Sequence, residues 1–270
     1  MTLFRFARKT SAALLTLALG LSNAAPAWAH FGMVLPSVPT VMENKDADLK
    51  VELKFWHPFK NKGMNLVKPK SFQVWNGGQA TDLRFALKEG QENGFIVWAA
   101  TYRLNRPGQY AFIMEPEPYW EPEEDKFIIH YTKTYVDAFG NDEGCFDPLP
   151  GLKTEIIPLV KPGGLYAGNV FIGRVLLDGQ NVSNAEVEIE WYPGPGLAGQ
   201  APSESMVTQV VKTDERGIFI YAPPRAGWWG FAALNKADYK LKQNDQDKEV
   251  ELGAVLWLYF HKFQPPTPLK

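Results

Sequence analysis

The stretch that decides the fold class is NVFIGRVLLDGQNVSNAEVEIEWY, residues 169–192. It contains two runs rich in β-branched and aromatic residues, a composition that is typical of strands. Between these runs lies Asp178-Gly179, a pair that readily takes the positive φ values of a tight hairpin turn. The stretch therefore predicts a β-hairpin and indicates an all-β protein.

Short runs of the same kind recur along the chain and favour a β-sandwich over an alternation of strands and helices. No long amphipathic helix is evident. The further strand-bearing stretches are LKVELKFWHPF (49–59), KSFQVWNGG (70–78), GFIVWAATYRL (94–104), GQYAFIMEPEP (108–118) and VTQVVKTDERGIFIYAPPRAGWWGFAAL (207–234). In the last of these, Asp214 and Gly217 predict a second turn.

Proline and glycine crowd PLVKPGGLY, residues 158–166, and predict a boundary there. We expect two β-sandwich domains, residues 30–157 and 158–263, followed by a tail at 264–270. The second domain resembles, in general type, the seven-stranded sandwiches of transthyretin-like and carboxypeptidase-regulatory-like modules. That resemblance implies a binding or scaffolding role.

Residues 1–29 read as a cleaved signal peptide, so we expect a periplasmic protein. Three basic residues precede the apolar run SAALLTLALGL (11–21), and Ala27-Trp28-Ala29 supplies the small residues that a signal peptidase reads. The apolar run is shorter than the roughly 20 residues that a spanning helix needs. Cleavage after Ala29 would make His30 the first residue, and no lipid-attachment cysteine lies near the cut.

Composition and motifs exclude several classes of function. The chain carries a net charge of −2 and no basic stripe, which argues against a nucleic-acid partner. Its one cysteine, Cys145, permits no intrachain disulfide and lacks a nucleophile signature. The sequence contains no G-x-S-x-G, P-loop or H-E-x-x-H motif, and we expect a protein that is not an enzyme.

Three of the four histidines form the predicted metal site: His30, His57 and His130. After cleavage His30 would offer an α-amine beside its imidazole, and such nitrogen donors suit Ni²⁺, Co²⁺ or Cu²⁺. Pro58 favours an extended conformation at His57, which places it at a strand end. His130 would face the same side of its strand as Ile128, where it is as readily a core histidine as a ligand.

Other possible ligands stay open at this point, and Cys145 is one of them. His261 reads as a surface residue that follows an apolar strand, and Met33 and Met64 are thioether donors that more often fill core gaps. The stretch EPEPYWEPEED, residues 115–125, holds six carboxylates. It reads as an acidic loop broken by prolines, although paired carboxylates can also hydrolyse glycosides.

Several stretches together resemble a family of bacterial periplasmic proteins whose domain is catalogued as of unknown function. They are AHFGMVLPS (29–37), FWHPF (55–59), GMNLVKPKSFQV (63–74), IIHYTKTYVDAFG (128–140), LVKPGGLYAGNVFIGRVLLDG (159–179) and PPRAGWWGFAAL (223–234). The resemblance implies association with nickel and cobalt uptake systems of the energy-coupling-factor type. It thus implies an accessory protein that delivers Ni²⁺ or Co²⁺ to membrane components of such a transporter. Lys60 and Lys62 follow the His-Pro turn, where that family often has an acidic residue and glycine.

Two rival functions follow from the same sequence. A mature N-terminal histidine with a second histidine resembles the copper histidine brace of polysaccharide monooxygenases, which would make the protein a copper carrier or an oxidase. A structural or adhesive sandwich without metal is the other rival, with aromatics such as Trp228 and Trp229 on a binding surface. Micromolar binding of a transition metal would separate the nickel or cobalt carrier and the copper protein from the structural protein without metal.

Overall fold

The computed structural model describes residues 30–140 and 152–267. Within those ranges the chain forms twenty β-strands and four 3₁₀-helices of three residues each. No described helix is long and apolar enough to cross a membrane. The predicted signal peptide and Cys145 lie outside the described residues. The prediction of an all-β sandwich protein is confirmed.

The strands are numbered in chain order. They are β1 (Phe31–Pro36), β2 (Thr40–Val41), β3 (Asp48–His57), β4 (Lys62–Met64), β5 (Ser71–Asn76), β6 (Gln79–Asp82), β7 (Lys88–Glu92), β8 (Phe95–Arg103), β9 (Gly108–Glu115), β10 (Tyr119–Glu121), β11 (Lys126–Ala138), β12 (Thr154–Pro158), β13 (Phe171–Leu177), β14 (Gln180–Asn181), β15 (Glu186–Tyr192), β16 (Gln209–Lys212), β17 (Ile218–Tyr221), β18 (Gly227–Lys236), β19 (Leu241–Gln243) and β20 (Gln246–Phe260). The 3₁₀-helices are Asn44–Asp46, Arg84–Ala86, Pro162–Gly164 and Glu204–Met206.

These strands form three sheets. The small sheet has the order β1-β3-β8-β7, with β4 on β3. The large sheet has the order β16-β15-β18-β20-β11-β9-β5-β6. In addition, β2 and β10 pair with β11, and β19 pairs with β20. The third sheet has the order β12-β13-β14, with β17 on β13.

The small and third sheets cover opposite faces of the large sheet. Phe112 and Met114 of β9 belong to the core under the small sheet, whereas Ala111 and Ile113 belong to the core under the third sheet. Because successive side chains of a strand point to opposite faces, this alternation places a core on each side of the large sheet. The two sandwiches therefore share their central layer.

The large sheet joins strands from both halves of the chain. Strands β11 and β20 pair in parallel from Lys126↔Glu249 to Thr134↔Trp257. The predicted division into residues 30–157 and 158–263 stays a prediction, and the hydrogen-bonded ladder runs across it. The apolar run before His261 becomes strand β20 in the middle of the large sheet, and its Trp257 is fully buried.

Local turn chemistry follows the sequence closely. Asp178 and Gly179 adopt φ values of 50° and 73°, as a tight hairpin turn requires, although the strand that follows is the two-residue β14. Gly217 has a φ of 75°, and its N–H donates to the carbonyl oxygen of Asp214 at 3.0 Å, an ordinary hydrogen-bond length. Both predicted turns are confirmed.

Candidate metal centre

The register of the small sheet brings His30 and His57 together. Phe31 lies opposite Trp56 in the antiparallel ladder of β1 and β3, so the preceding residue, His30, comes opposite His57. Side chains directly opposite in such a ladder share one face. The two imidazole centroids are 4.6 Å apart, with the rings tilted by 53°. Two of the three predicted ligands are therefore neighbours.

The turn that carries His57 is held by the second half of the chain. The N–H of Phe59 donates to Oε2 of Glu190 at 3.0 Å, and its carbonyl oxygen accepts from the N–H of Gly199 at 2.7 Å. Burial raises the pKa of Glu190 to about 7, against the opposing effect of its hydrogen bonds. Lys60 of the same turn forms an ion pair with Glu204 at 2.8 Å. His57 itself is the last residue of β3, as predicted.

Glu121 orients the ring of His30. Its Oε2 lies 2.8 Å from Nε2 of His30, while its Oε1 accepts the N–H of Glu123 at 3.0 Å. Because a carboxylate only accepts, this contact places a proton on Nε2 and leaves the lone pair of a neutral imidazole on Nδ1. A carboxylate behind an imidazole in this way is the usual support for a metal-ligating histidine.

A second carboxylate faces the other nitrogen of the same ring. Oε1 of Glu124 is 3.9 Å from Nδ1 of His30, and Oε2 of Glu124 is 2.5 Å from Nζ of Lys126. Glu121 and Glu124 belong to the acidic stretch that the sequence left open as possible ligands. Its prolines and charges predicted a loop, whereas Tyr119–Glu121 form β10 on the edge of β11. Nothing local identified which carboxylates would meet His30.

His130 is fully enclosed between the small and large sheets. Its Nδ1 accepts the N–H of Gly32 at 3.2 Å, and its Nε2 lies 3.7 Å from Oε1 of Glu251. Burial raises the pKa of Glu251, but the contacts with His130 and Lys126 outweigh it and lower that pKa to about 2. His130 faces the same side as Ile128, so this orientation is confirmed.

Two glycines make room for this histidine. A Cβ on Gly32 would come within 3.1 Å of the Cβ of His130 and 2.3 Å of Oγ1 of Thr132. A Cβ on Gly253, which lies beside His130 in the parallel ladder, would come within 2.2 Å of Cδ2 of the ring. Both positions therefore require a residue without a side chain.

The ring of Phe55 lies between the histidine pair and His130. Its centroid is 5.6 Å from that of His30 and 5.6 Å from that of His130. Among residues 30–140 and 152–267, no three side chains of His, Cys, Asp or Glu are placed to hold one metal ion. A site built on His30 and His57 thus needs a donor other than these side chains, or a movement of Glu124.

The remaining candidates lie elsewhere. His261 contacts the ring of Tyr259 at a centroid distance of 4.9 Å, and burial lowers its pKa. Met33 is fully buried in a core cluster with Trp56 and Trp257, and Met64 packs against the core under the small sheet. These positions fit packing roles.

Comparisons with known proteins name no activity for the chain. No curated protein sequence matches the chain. The D0-D1 domain of intimin is 12% identical over 84% of this chain and 99% of its own, with a TM-score of 0.25. The adhesin InvE of Yersinia pseudotuberculosis is 9% identical over 83% of this chain and 58% of its own, with a TM-score of 0.22. Such scores carry no inference about topology or function.

A family model gives the firmer relationship. It matches residues 27–237, which span most of the sequence and include His30, His57 and His130. The chain therefore belongs to the family described as a domain of unknown function, DUF4198.

Proposed function

We propose that the exported protein binds one transition-metal ion, Ni²⁺ or Co²⁺, at His30 and His57, and delivers it to membrane components of an uptake system. The observation that carries this proposal is the pairing of His30 with His57 at a centroid distance of 4.6 Å. A metal–nitrogen bond of about 2.0–2.1 Å puts each centroid roughly 3.2 Å from a shared ion, so centroids up to about 6.5 Å apart can share it.

The amine released by cleavage after Ala29 supplies the missing donor. The α-nitrogen and Nδ1 of one histidine close a six-membered ring with a metal, whereas Nε2 points away from its own backbone. Glu121 already accepts from Nε2 at 2.8 Å, so the lone pair of the neutral ring is on Nδ1, the nitrogen that can chelate together with the α-amine. An α-amine has a reference pKa of about 8, so it loses its proton readily on metal binding near neutral pH.

Glu124 is the carboxylate best placed to join this site. Its Oε1 is 3.9 Å from Nδ1 of His30, and two donors that share an ion at bonds of about 2.0–2.2 Å lie no more than about 4.4 Å apart. One amine, two imidazoles and one carboxylate suit Ni²⁺ and Co²⁺ better than Mg²⁺ or Ca²⁺.

We assign His130 a supporting role in this proposal. The N–H of Gly32 donates to its Nδ1, so the proton of the neutral ring lies on Nε2, toward Glu251. Binding an ion through Nε2 would require moving that proton to Nδ1 and breaking the bond from Gly32. The prediction that His130 is itself a ligand is tested by comparing His130→Asn with His57→Asn for loss of metal.

The decisive experiment is calorimetric titration of the processed protein, which begins at His30, with Ni²⁺, Co²⁺ and Cu²⁺. The control is the same chain with one extra alanine before His30, which converts the amine to an amide. We expect the processed form to bind at least tenfold more tightly, which is about 1.4 kcal/mol. Equal affinity would refute the amine chelate, and no binding of any ion at micromolar concentration would favour a structural or adhesive protein.

A copper carrier is the second candidate. Nitrogen donors bind Cu²⁺ more tightly than Ni²⁺ or Co²⁺ in the general order of divalent affinities, so affinity alone does not select the metal. The ring centroid of Tyr119 lies 6.4 Å from that of His30, so the side chain of a tyrosine flanks the histidine pair. Metal content of the protein purified from its native compartment separates the two candidates.

A further inference from the structure

One ammonium group sits between two carboxylates beside the proposed centre. Nζ of Lys126 is 2.5 Å from Oε2 of Glu124 and 2.6 Å from Oε2 of Glu251. A lysine ammonium group is charged at neutral pH, and these two carboxylates hold it between them.

Glu124 faces two possible cations. Its Oε2 forms an ion pair with Nζ of Lys126, while its Oε1 lies 3.9 Å from Nδ1 of His30. A carboxylate that ligates an ion beside His30 must weaken its pairing with the lysine, because both partners draw on the same negative charge.

We propose that Lys126 is a tethered cation that competes with the metal ion for Glu124 and thereby sets the affinity of the centre. This inference rests on the proposed function and adds a residue that no ligand pattern would select. When the ion binds, Glu124 turns toward it and Lys126 keeps Glu251 as its partner. When the ion leaves, Lys126 pairs with Glu124 again.

Glu251 makes this exchange possible. It lies on β20 opposite Ile128 of β11, and its side chain is the second partner of the ammonium group. Without Glu251, the lysine would depend on Glu124 alone and would hold it more firmly. The arrangement favours an affinity low enough for transfer, which a carrier needs and a structural metal site does not.

The test compares Ni²⁺ affinity by calorimetry in four processed proteins: wild type, Lys126→Met, Glu251→Gln and Lys248→Met. Lys248 is the matched control, because it pairs with Asp125 at 2.7 Å and adjoins the same turn without an ion pair to Glu124 or Glu251. We expect Lys126→Met to tighten binding about tenfold or more, since a positive charge near the ion is removed. Glu251→Gln should weaken binding, and Lys248→Met should change it less than about twofold.

The outcomes separate this inference from the proposed function. If the wild type binds no metal, the proposed function fails. If the wild type binds and Lys126→Met binds equally or more weakly, the competition fails while the function stands. If Lys248→Met gains as much Ni²⁺ affinity as Lys126→Met, the gain comes from net charge alone, and the competition for Glu124 is overturned. Lys126→Gln provides a second neutral variant should Lys126→Met lose its thermal transition.

Discussion

The backbone N–H of Gly32 donates a hydrogen bond to Nδ1 of His130 at 3.2 Å and ties the small sheet to the large one. This bond fixes the ring between two backbones, because Gly32 lies on one side and Gly253 on the other. A buried polar ring held in this way leaves little freedom to relax around an added atom.

Substitution of Gly253 by alanine should destabilise the fold. The added Cβ would meet the ring of His130 at 2.2 Å, and overpacking of a buried site costs about 1–3 kcal/mol. Urea denaturation measures the change. Gly164→Ala is the control, because nothing lies within 4 Å of a Cβ there. The cost should shrink in a His130→Ala background, and an undiminished cost would show that the clash is not with this ring.

Removal of His57 should weaken metal binding much more than removal of His261. His57 lies 4.6 Å from His30 between ring centroids, whereas His261 packs against Tyr259. We expect His57→Ala to lose at least tenfold in Ni²⁺ affinity, which is about 1.4 kcal/mol. Titration of both variants checks this expectation. Comparable losses in the two would mean that the ion binds elsewhere.

Glu121→Ala should weaken binding by loosening the ring of His30 without removing a ligand. Loss of such a supporting carboxylate typically costs about 10–100-fold in metal affinity. Glu123→Ala is a matched control, because Glu123 contributes its backbone N–H, and not its side chain, to the contact with Glu121. Calorimetry on both variants distinguishes them. If Glu121→Ala binds as tightly as Glu123→Ala, the orienting role is wrong.

Glu188→Gln should stabilise the protein at alkaline pH. Burial, and then the charge of Glu251, raises the pKa of Glu188 to about 8. A raised carboxyl pKa means that the folded chain binds the proton more strongly. Stability from this group is therefore complete below its ordinary pKa and is lost as pH rises through about 8.

We therefore expect Glu188→Gln to raise the free energy of unfolding at pH 9 by about 1–3 kcal/mol and to leave it nearly unchanged at pH 4. Chemical denaturation at the two pH values measures the difference. The control is Glu186→Gln on the same strand, since Glu186 is exposed and pairs with Lys212 at 3.3 Å. A similar gain in both variants, or a gain at pH 4, would contradict the assignment.

Local pattern was enough to predict the strand class, the two turns and the position of His57 at a strand end. That His30 begins the processed chain stays a prediction. Local pattern could not place Glu121, Glu124 or Glu251 near His30, because their approach depends on pairings between distant segments. The hydrophobic runs of β11 and β20 could pair with several other strands of the chain. The register between these two strands is set by packing on both faces of the large sheet.

The parallel pairing of β11 with β20 also constrains the order in which the protein can be completed. Lys126 and Glu251 are 125 residues apart in sequence, yet they sit side by side beside the proposed centre. Strand β20, which lies beside His130 in the parallel ladder, is therefore synthesised long after His30, His57 and His130. Closing so long a loop is a slow, late event in folding. The large sheet beside these histidines is thus completed only when β20, the last of the described strands, has been made.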